Sequence, residues 1–112
     1  MKVGVIDLGS NTSKLLIAQK KPFPDHQNFK TLKEKSLPCR IFTLTEKKVL
    51  KIPKEGATRL ISCINKFKNI CQSHQTDELI IVATEALRKA ENSKEVALIV
   101  EQQTGLKIKI LS

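Results

Sequence analysis

Between positions 7 and 12 the chain reads Asp7-Leu8-Gly9-Ser10-Asn11-Thr12, a carboxylate followed closely by one glycine and three small polar side chains. The chemistry open to such a stretch is the binding of a phosphate with its magnesium. Gly9 lets the backbone approach an anion, while Ser10, Asn11 and Thr12 add donors beside exposed N–H groups. Asp7 can hold the hydrated cation. The same residues also suit an ordinary turn in which Asp7 and Asn11 satisfy turn hydrogen bonds. So short a stretch does not separate the two uses.

The elements around it are legible. A short, largely apolar strand at residues 2–6 leads into Asp7, and a second at 14–18 leaves the stretch after Thr12. Together they predict a buried hairpin with the polar stretch as its turn. Residues 21–28 hold Pro22 and Pro24 among polar neighbours, which predicts a loop; His26 there is expected to be a solvent-exposed side chain. Residues 29–36 alternate loosely and suit a third, edge-like strand, interrupted at Pro38. Residues 40–44 extend a strand, and 45–52 read as an irregular lysine-rich connector.

From Lys54 the period changes. Ala57, Leu60, Ile61, Ile64, Phe67 or Lys68, and Cys71 fall at helical steps after Pro53, predicting a helix to about Ser73 that packs on a sheet. Cys63 and Cys71 are expected to be small buried apolar side chains. The continuous apolar run Leu79-Ile80-Ile81-Val82-Ala83 predicts a central parallel strand buried on both faces. Asn92 or Ser93 caps a second helix, with Glu95 placed for a capping box if Asn92 is the cap, and Gly105 closes it. Residues 106–111 form a last, more exposed strand.

The predicted order is strand, strand, strand, helix, strand, helix, strand: a mixed α/β sheet, antiparallel first and parallel later. Ligands collect at the carboxyl ends of parallel strands. Asp7, Thr84 and Arg88 are therefore expected at one edge.

Composition bounds the function. The 112 residues suit one domain, and 40% apolar content without tryptophan or tyrosine suits an aliphatic core. The apolar runs are far below membrane-spanning length, and the first residues do not resemble a secretion signal. Three cysteines without a Cys-x-x-Cys pair indicate neither a disulfide framework nor a zinc site, and point to a reducing cytoplasm. Twenty basic against eleven acidic residues give +9, enough to attract polyanions. The lysines lack aromatic interleaving, so nucleic acid is not the expected partner, although a basic polyanion-binding module stays open as a second class.

Two blocks carry a resemblance. Val5-Ile6-Asp7-Leu8-Gly9-Ser10-Asn11-Thr12 with Leu15-Leu16-Ile17-Ala18 resembles the opening phosphate loop of the exopolyphosphatase/guanosine pentaphosphate phosphohydrolase family. Val82-Ala83-Thr84-Glu85-Ala86-Leu87-Arg88-Lys89-Ala90-Glu91-Asn92 is similar to that family's Val-Ala-Thr-x-Ala-x-Arg-x-Ala-x-Asn signature. Residues 105–112 resemble the strand that follows. The first loop is shared across the actin, sugar-kinase and heat-shock ATPase superfamily; the second block is specific, and ranks a short acyl or vitamin-precursor kinase lower.

The resemblance implies a ribonuclease-H-like N-terminal subdomain, residues 1–112, that binds polyphosphate or a guanosine polyphosphate with Mg2+. It implies Asp7 in the metal and phosphate site, Gly9, Ser10, Asn11 and Thr12 in the phosphate loop, and Arg88 as a charge-assisted donor to substrate phosphates. Thr84 would be structural, and Glu85 falls at a variable position. The family's glutamate that positions water is expected beyond Ser112, and its second phosphate loop and half of the cleft also lie outside these residues. The segment after Arg40 has Phe42 and Leu44 where the family usually places glycines. No catalytic residue is therefore expected in this chain, and no appreciable hydrolysis from it alone. Self-association is expected through the face that would meet the missing half.

Overall fold

Alternation in the first hairpin decides which side of the sheet is buried. In the computed structural model of the chain, β1 (Lys2–Leu8) turns Gly4, Ile6 and Leu8 inward, and β2 (Thr12–Lys20) turns Ser13, Leu15 and Ile17 to the same side. Their antiparallel register, Ile6↔Leu15 and Leu8↔Ser13, puts both inward sets on one core. The structure describes residues 1–9, 11–20, 29–44, 50–83 and 85–110, with only the backbone at 43, 44, 85 and 86.

β3 (Phe29–Pro38) pairs antiparallel with β2. It continues through Leu37 and Pro38, beyond the expected end at Ser36. Proline is tolerated because β3 is an outer strand, so no further neighbour needs the N–H it lacks. The loop expected at 21–28, with His26, lies outside the described residues. The strand expected over 40–44 shrinks to β4 (Thr43–Leu44), which pairs with β5 (Leu50–Lys51) in a separate two-stranded ribbon. That pairing also gives partial order to the expected connector, of which 45–49 lie outside the described residues.

Helix α1 (Lys54–Ser73) opens directly after Pro53, which holds an extended backbone at φ −71° and ψ 168°. Gly56, Leu60, Cys63, Ile64, Phe67 and Cys71 form its buried stripe. Phe67, not Lys68, takes the inward position, while Ala57 and Ile61 flank the stripe half-buried. Full burial of side chains such as Leu60, Ile64 and Phe67 contributes roughly 1.5–3 kcal/mol each.

Next come β6 (Glu78–Ala83), the short α2 (Glu85–Lys89), α3 (Ser93–Thr104) and β7 (Ile108–Ile110). The main sheet runs β3-β2-β1-β6-β7. Its first two pairings are antiparallel and the β1–β6 and β6–β7 pairings parallel, the mixed sheet that the order of elements predicts. The structure adds β4, β5 and α2 to that order. Gly105 closes α3 in the left-handed region at φ 77°, its N–H donating to the Glu101 carbonyl at 2.9 Å.

α1 packs on β1 and β2, and α3 on β7 and α1. β6 is central, but not equally buried on both faces as expected. Ile81 and Ala83 are fully covered, whereas Ile80 and Val82, which alternate with them to the opposite face, are half-buried. Both long helices lie on the same side of the sheet, which explains the difference. No described helix is long and apolar enough to cross a membrane.

Candidate functional site

The turn between β1 and β2 is held from inside and outside. The Gly9 N–H donates to the Thr12 carbonyl at 3.1 Å. A Cβ on Gly9 would stand 2.6 Å from that oxygen, closer than a real Cβ comes, so the turn requires glycine. The Asn11 carbonyl accepts the Cys39 N–H at 2.8 Å, tying the turn to the end of β3. Asn11 and Thr12 present exposed side chains. Asp7 is exposed at the end of β1, in register with Lys14 on β2 and Val82 on β6. Ser10 lies outside the described residues.

The parallel register brings the second motif to the same place. Leu8 pairs with Ala83, and Ala83 with Ile110, so β1, β6 and β7 end along one edge. From that edge β1 enters the Gly9 turn and β6 enters α2, whose last turn carries Arg88 with its side chain exposed. This is the arrangement that supports ligand binding at the carboxyl ends of parallel strands. Thr84, expected at the same edge, lies outside the described residues.

Three other residues of the second motif anchor the segment. Leu87 and Ala90 are buried in the core on either side of exposed Arg88. Asn92 is the N-cap residue of α3, one of the two the sequence offers, but its side chain makes no capping bond. Its Oδ1 accepts the Ile52 N–H at 2.9 Å and its Nδ2 donates to the Ile52 carbonyl at 2.7 Å. The Glu91 N–H adds a bond to the Leu50 carbonyl at 2.9 Å. The carboxamide is drawn away from the helix because Ile52, 2% exposed, would otherwise bury both backbone groups unpaired. Local sequence signals this only through the Asn side chain's matched donor and acceptor.

A groove of about 600 Å³ runs along the open sheet face past Asp7, Lys14, Leu16, Glu34 and Val82. A larger one, about 950 Å³, lies between α1 and α3 against Lys54, Ile61, Val96 and Ile99, and holds neither Asp7 nor Arg88. Size alone therefore does not identify the chemistry. Among the described residues no group of three or more His, Cys, Asp or Glu could hold a metal by itself. One carboxylate at the carboxyl ends of parallel strands is nevertheless compatible with magnesium, which keeps several waters and can take the rest of its shell from a bound ligand. Asp7 would be the residue to hold it.

Residues 16–112 match the model of the Ppx/GppA phosphatase family. The chain belongs to that family. Exopolyphosphatase 1 of Mycobacterium tuberculosis is 37% identical over 99% of the chain, and the chain spans 31% of that relative's length. The Mycobacterium leprae exopolyphosphatase 1 is 35% identical, with the chain spanning 32% of it. In structure, the Aquifex aeolicus PPX-GPPA enzyme superposes with a TM-score of 0.84 at 25% identity, covering 99% of the chain and 36% of its own. The chain thus corresponds to about a third of its Ppx/GppA relatives, and its fold is of the ribonuclease-H-like, actin-like type.

Proposed function

We propose that the chain is the N-terminal phosphate-binding part, residues 1–112, of a phosphohydrolase that releases terminal phosphate from inorganic polyphosphate or guanosine pentaphosphate, and that it does not hydrolyse either alone. The observation that supports this most is the Leu8↔Ala83 register, which directs the Gly9 turn and the Arg88 helix from neighbouring strand ends. Magnesium, when bound with the substrate, neutralises phosphate charge. Asp7 would hold the hydrated ion. Gly9 would let phosphate oxygens approach the turn; its own N–H is already bonded to Thr12. Ser10, Asn11 and Thr12 would donate to those oxygens, and Arg88 would donate with its full charge. None of these groups is assigned the activation of water, and hydrolysis needs both a positioned nucleophile and charge stabilisation around the phosphate. That division of labour fits a chain about a third as long as its relatives.

The reading extends to a reducing cytoplasm, where the three free, buried cysteines would stay reduced. It also extends to self-association through the exposed cleft face. The formal charge of +9 favours a second reading, a non-catalytic module that attracts polyanions or nucleic acid through lysines.

A titration with polyphosphate, with and without magnesium and at two salt concentrations, separates them. The phosphohydrolase reading expects magnesium-dependent binding that survives added salt and drops at least tenfold in both Asp7→Asn and Arg88→Ala. Binding that ignores magnesium and both substitutions, and fades with salt, would leave only a basic surface.

A further inference from the structure

Helix α1 runs along the segment after β3 in regular steps. At Gly56 an added Cβ would overlap the Ile41 carbonyl oxygen, so helix and segment touch there backbone to backbone. One turn later, Arg59 Nε donates to the Arg40 carbonyl at 2.7 Å. One turn later again comes Cys63, buried like Cys39 and close enough for each thiol to shift the other's titration. Gly56, Arg59 and Cys63 share one stripe at spacings of three and four, and meet Ile41, Arg40 and Cys39 in succession. The juxtaposition of the two sulfurs thus follows from how the helix is seated.

The surroundings divide the labour between the thiols. Cys39 lies between exposed Pro38 and Arg40, with the exposed Arg59 beside it. The neighbouring Cys63 thiol lowers the Cys39 thiol from 9.0 to about 7 against the opposing effect of burial, and the Arg59 charge assists. Cys63 is pushed up by Cys39 beside it and by burial. The Ser13 hydroxyl, 1% exposed and without a well-formed hydrogen bond, faces Cys63 and offsets this only slightly. A thiol lowered at Cys39 beside one raised at Cys63 has the bias of an attacking and a resolving cysteine.

We propose that Cys39 and Cys63 form an oxidisable dithiol, which a hydroperoxide converts to an intramolecular disulfide joining α1 to the segment after β3. The Cys39 thiolate attacks the peroxide oxygen; the O–O bond breaks, the sulfur gains a hydroxyl as sulfenic acid, and the alkoxide or hydroxide leaves with a proton. Cys63 sulfur then attacks Cys39 sulfur. The S–S bond forms as the S–O bond breaks, and the departing hydroxide takes the Cys63 proton as water. Two thiols are oxidised and one peroxide is reduced. Cys39 also donates its N–H to the Asn11 carbonyl, so the new bond would tie the anchor of the Gly9 turn to α1. This chemistry requires no phosphate ligand.

The test treats the folded chain with hydrogen peroxide at neutral pH, quenches it, unfolds it and labels the remaining thiols with a maleimide. The expected result is loss of two of the three thiols, a Cys39–Cys63 cross-linked peptide, and a fully labelled Cys71. Cys63→Ser should stop at a Cys39 sulfenic acid trapped by dimedone, and Cys71→Ser should behave as the wild type. Full labelling of all three thiols, at exposures that oxidise free cysteine, would overturn the proposal. So would a cross-link through Cys71, or a Cys39–Cys63 disulfide that forms only in denaturant. The wild-type chain decides each of these outcomes, even if a variant fails to fold.

Discussion

Asn92 pairs with Ile52 as a neighbouring strand would, its carboxamide satisfying both the N–H and the C=O of one buried residue. The pair joins the end of β5 to the start of α3, just after the turn that carries Arg88. Asn92→Ala would leave two backbone groups without partners, at about 1–3 kcal/mol for each group that water cannot reach. A loss of roughly 2–3 kcal/mol is expected in urea unfolding, with faster amide exchange at Ile52. Asn92→Asp should cost at least as much, because a carboxylate oxygen would replace the donor facing the Ile52 carbonyl. If Asn92→Ser were as stable as the wild type, the bracket would carry no such weight.

Gly9→Ala tests the turn. The added methyl would meet a backbone oxygen at 2.6 Å, so the turn must open and its Gly9–Thr12 bond must lengthen. A cost of about 1–3 kcal/mol is expected, the usual range for forcing atoms into a packed site. On the proposed function the same change also weakens magnesium-dependent polyphosphate binding. Thermal unfolding and titration of the variant measure the two effects separately.

The Cys39–Cys63 pair sets a pH dependence. The folded Cys39 value, about 7, lies below its ordinary 9.0. Its contribution to stability is therefore complete above pH 9 and is lost as pH falls through 7. Cys63 is shifted the other way and begins to cost stability as pH rises beyond its ordinary value. Reduced chain should thus gain stability between about pH 7 and 9, and Cys39→Ser should flatten that rise. The rate of thiol loss to peroxide should show its inflection near pH 7, and Arg59→Ala should move it upward.

Self-association is checked by light scattering over a dilution series. The groove-bearing sheet face exposes Leu16 at 37% and leaves Val5, Ile80 and Val82 only half-buried, beside charged Asp7 and Lys14. The expected outcome is a mass that rises with concentration and falls back in Leu16→Lys. A strict monomer throughout would remove the idea.

Much of the architecture was legible because it is written in short-range periodicity. The alternation in β1 and β2, the stripe from Leu60 to Cys71 and the helix stop at Gly105 each depend on residues a few positions apart. Where the expectations slipped, a distant partner was responsible. Pro38 stays in a strand because β3 lies at the sheet's edge, and the Asn92 side chain turns from the helix start to a residue 40 positions away. The two-residue strands β4 and β5 are too short to carry a period.

The sequence by itself determined the polar turn after a buried strand, the order of the main elements, and the motif at 82–92 that is specific to its family. These follow from residue type and local spacing, which act before any distant contact forms. Only the tertiary structure decided that Leu8 and Ala83 end side by side, that Gly9 has no room for a side chain, and that Cys39 meets Cys63. Those outcomes depend on strand register and on how α1 is seated, and both are settled by packing among residues far apart in the chain.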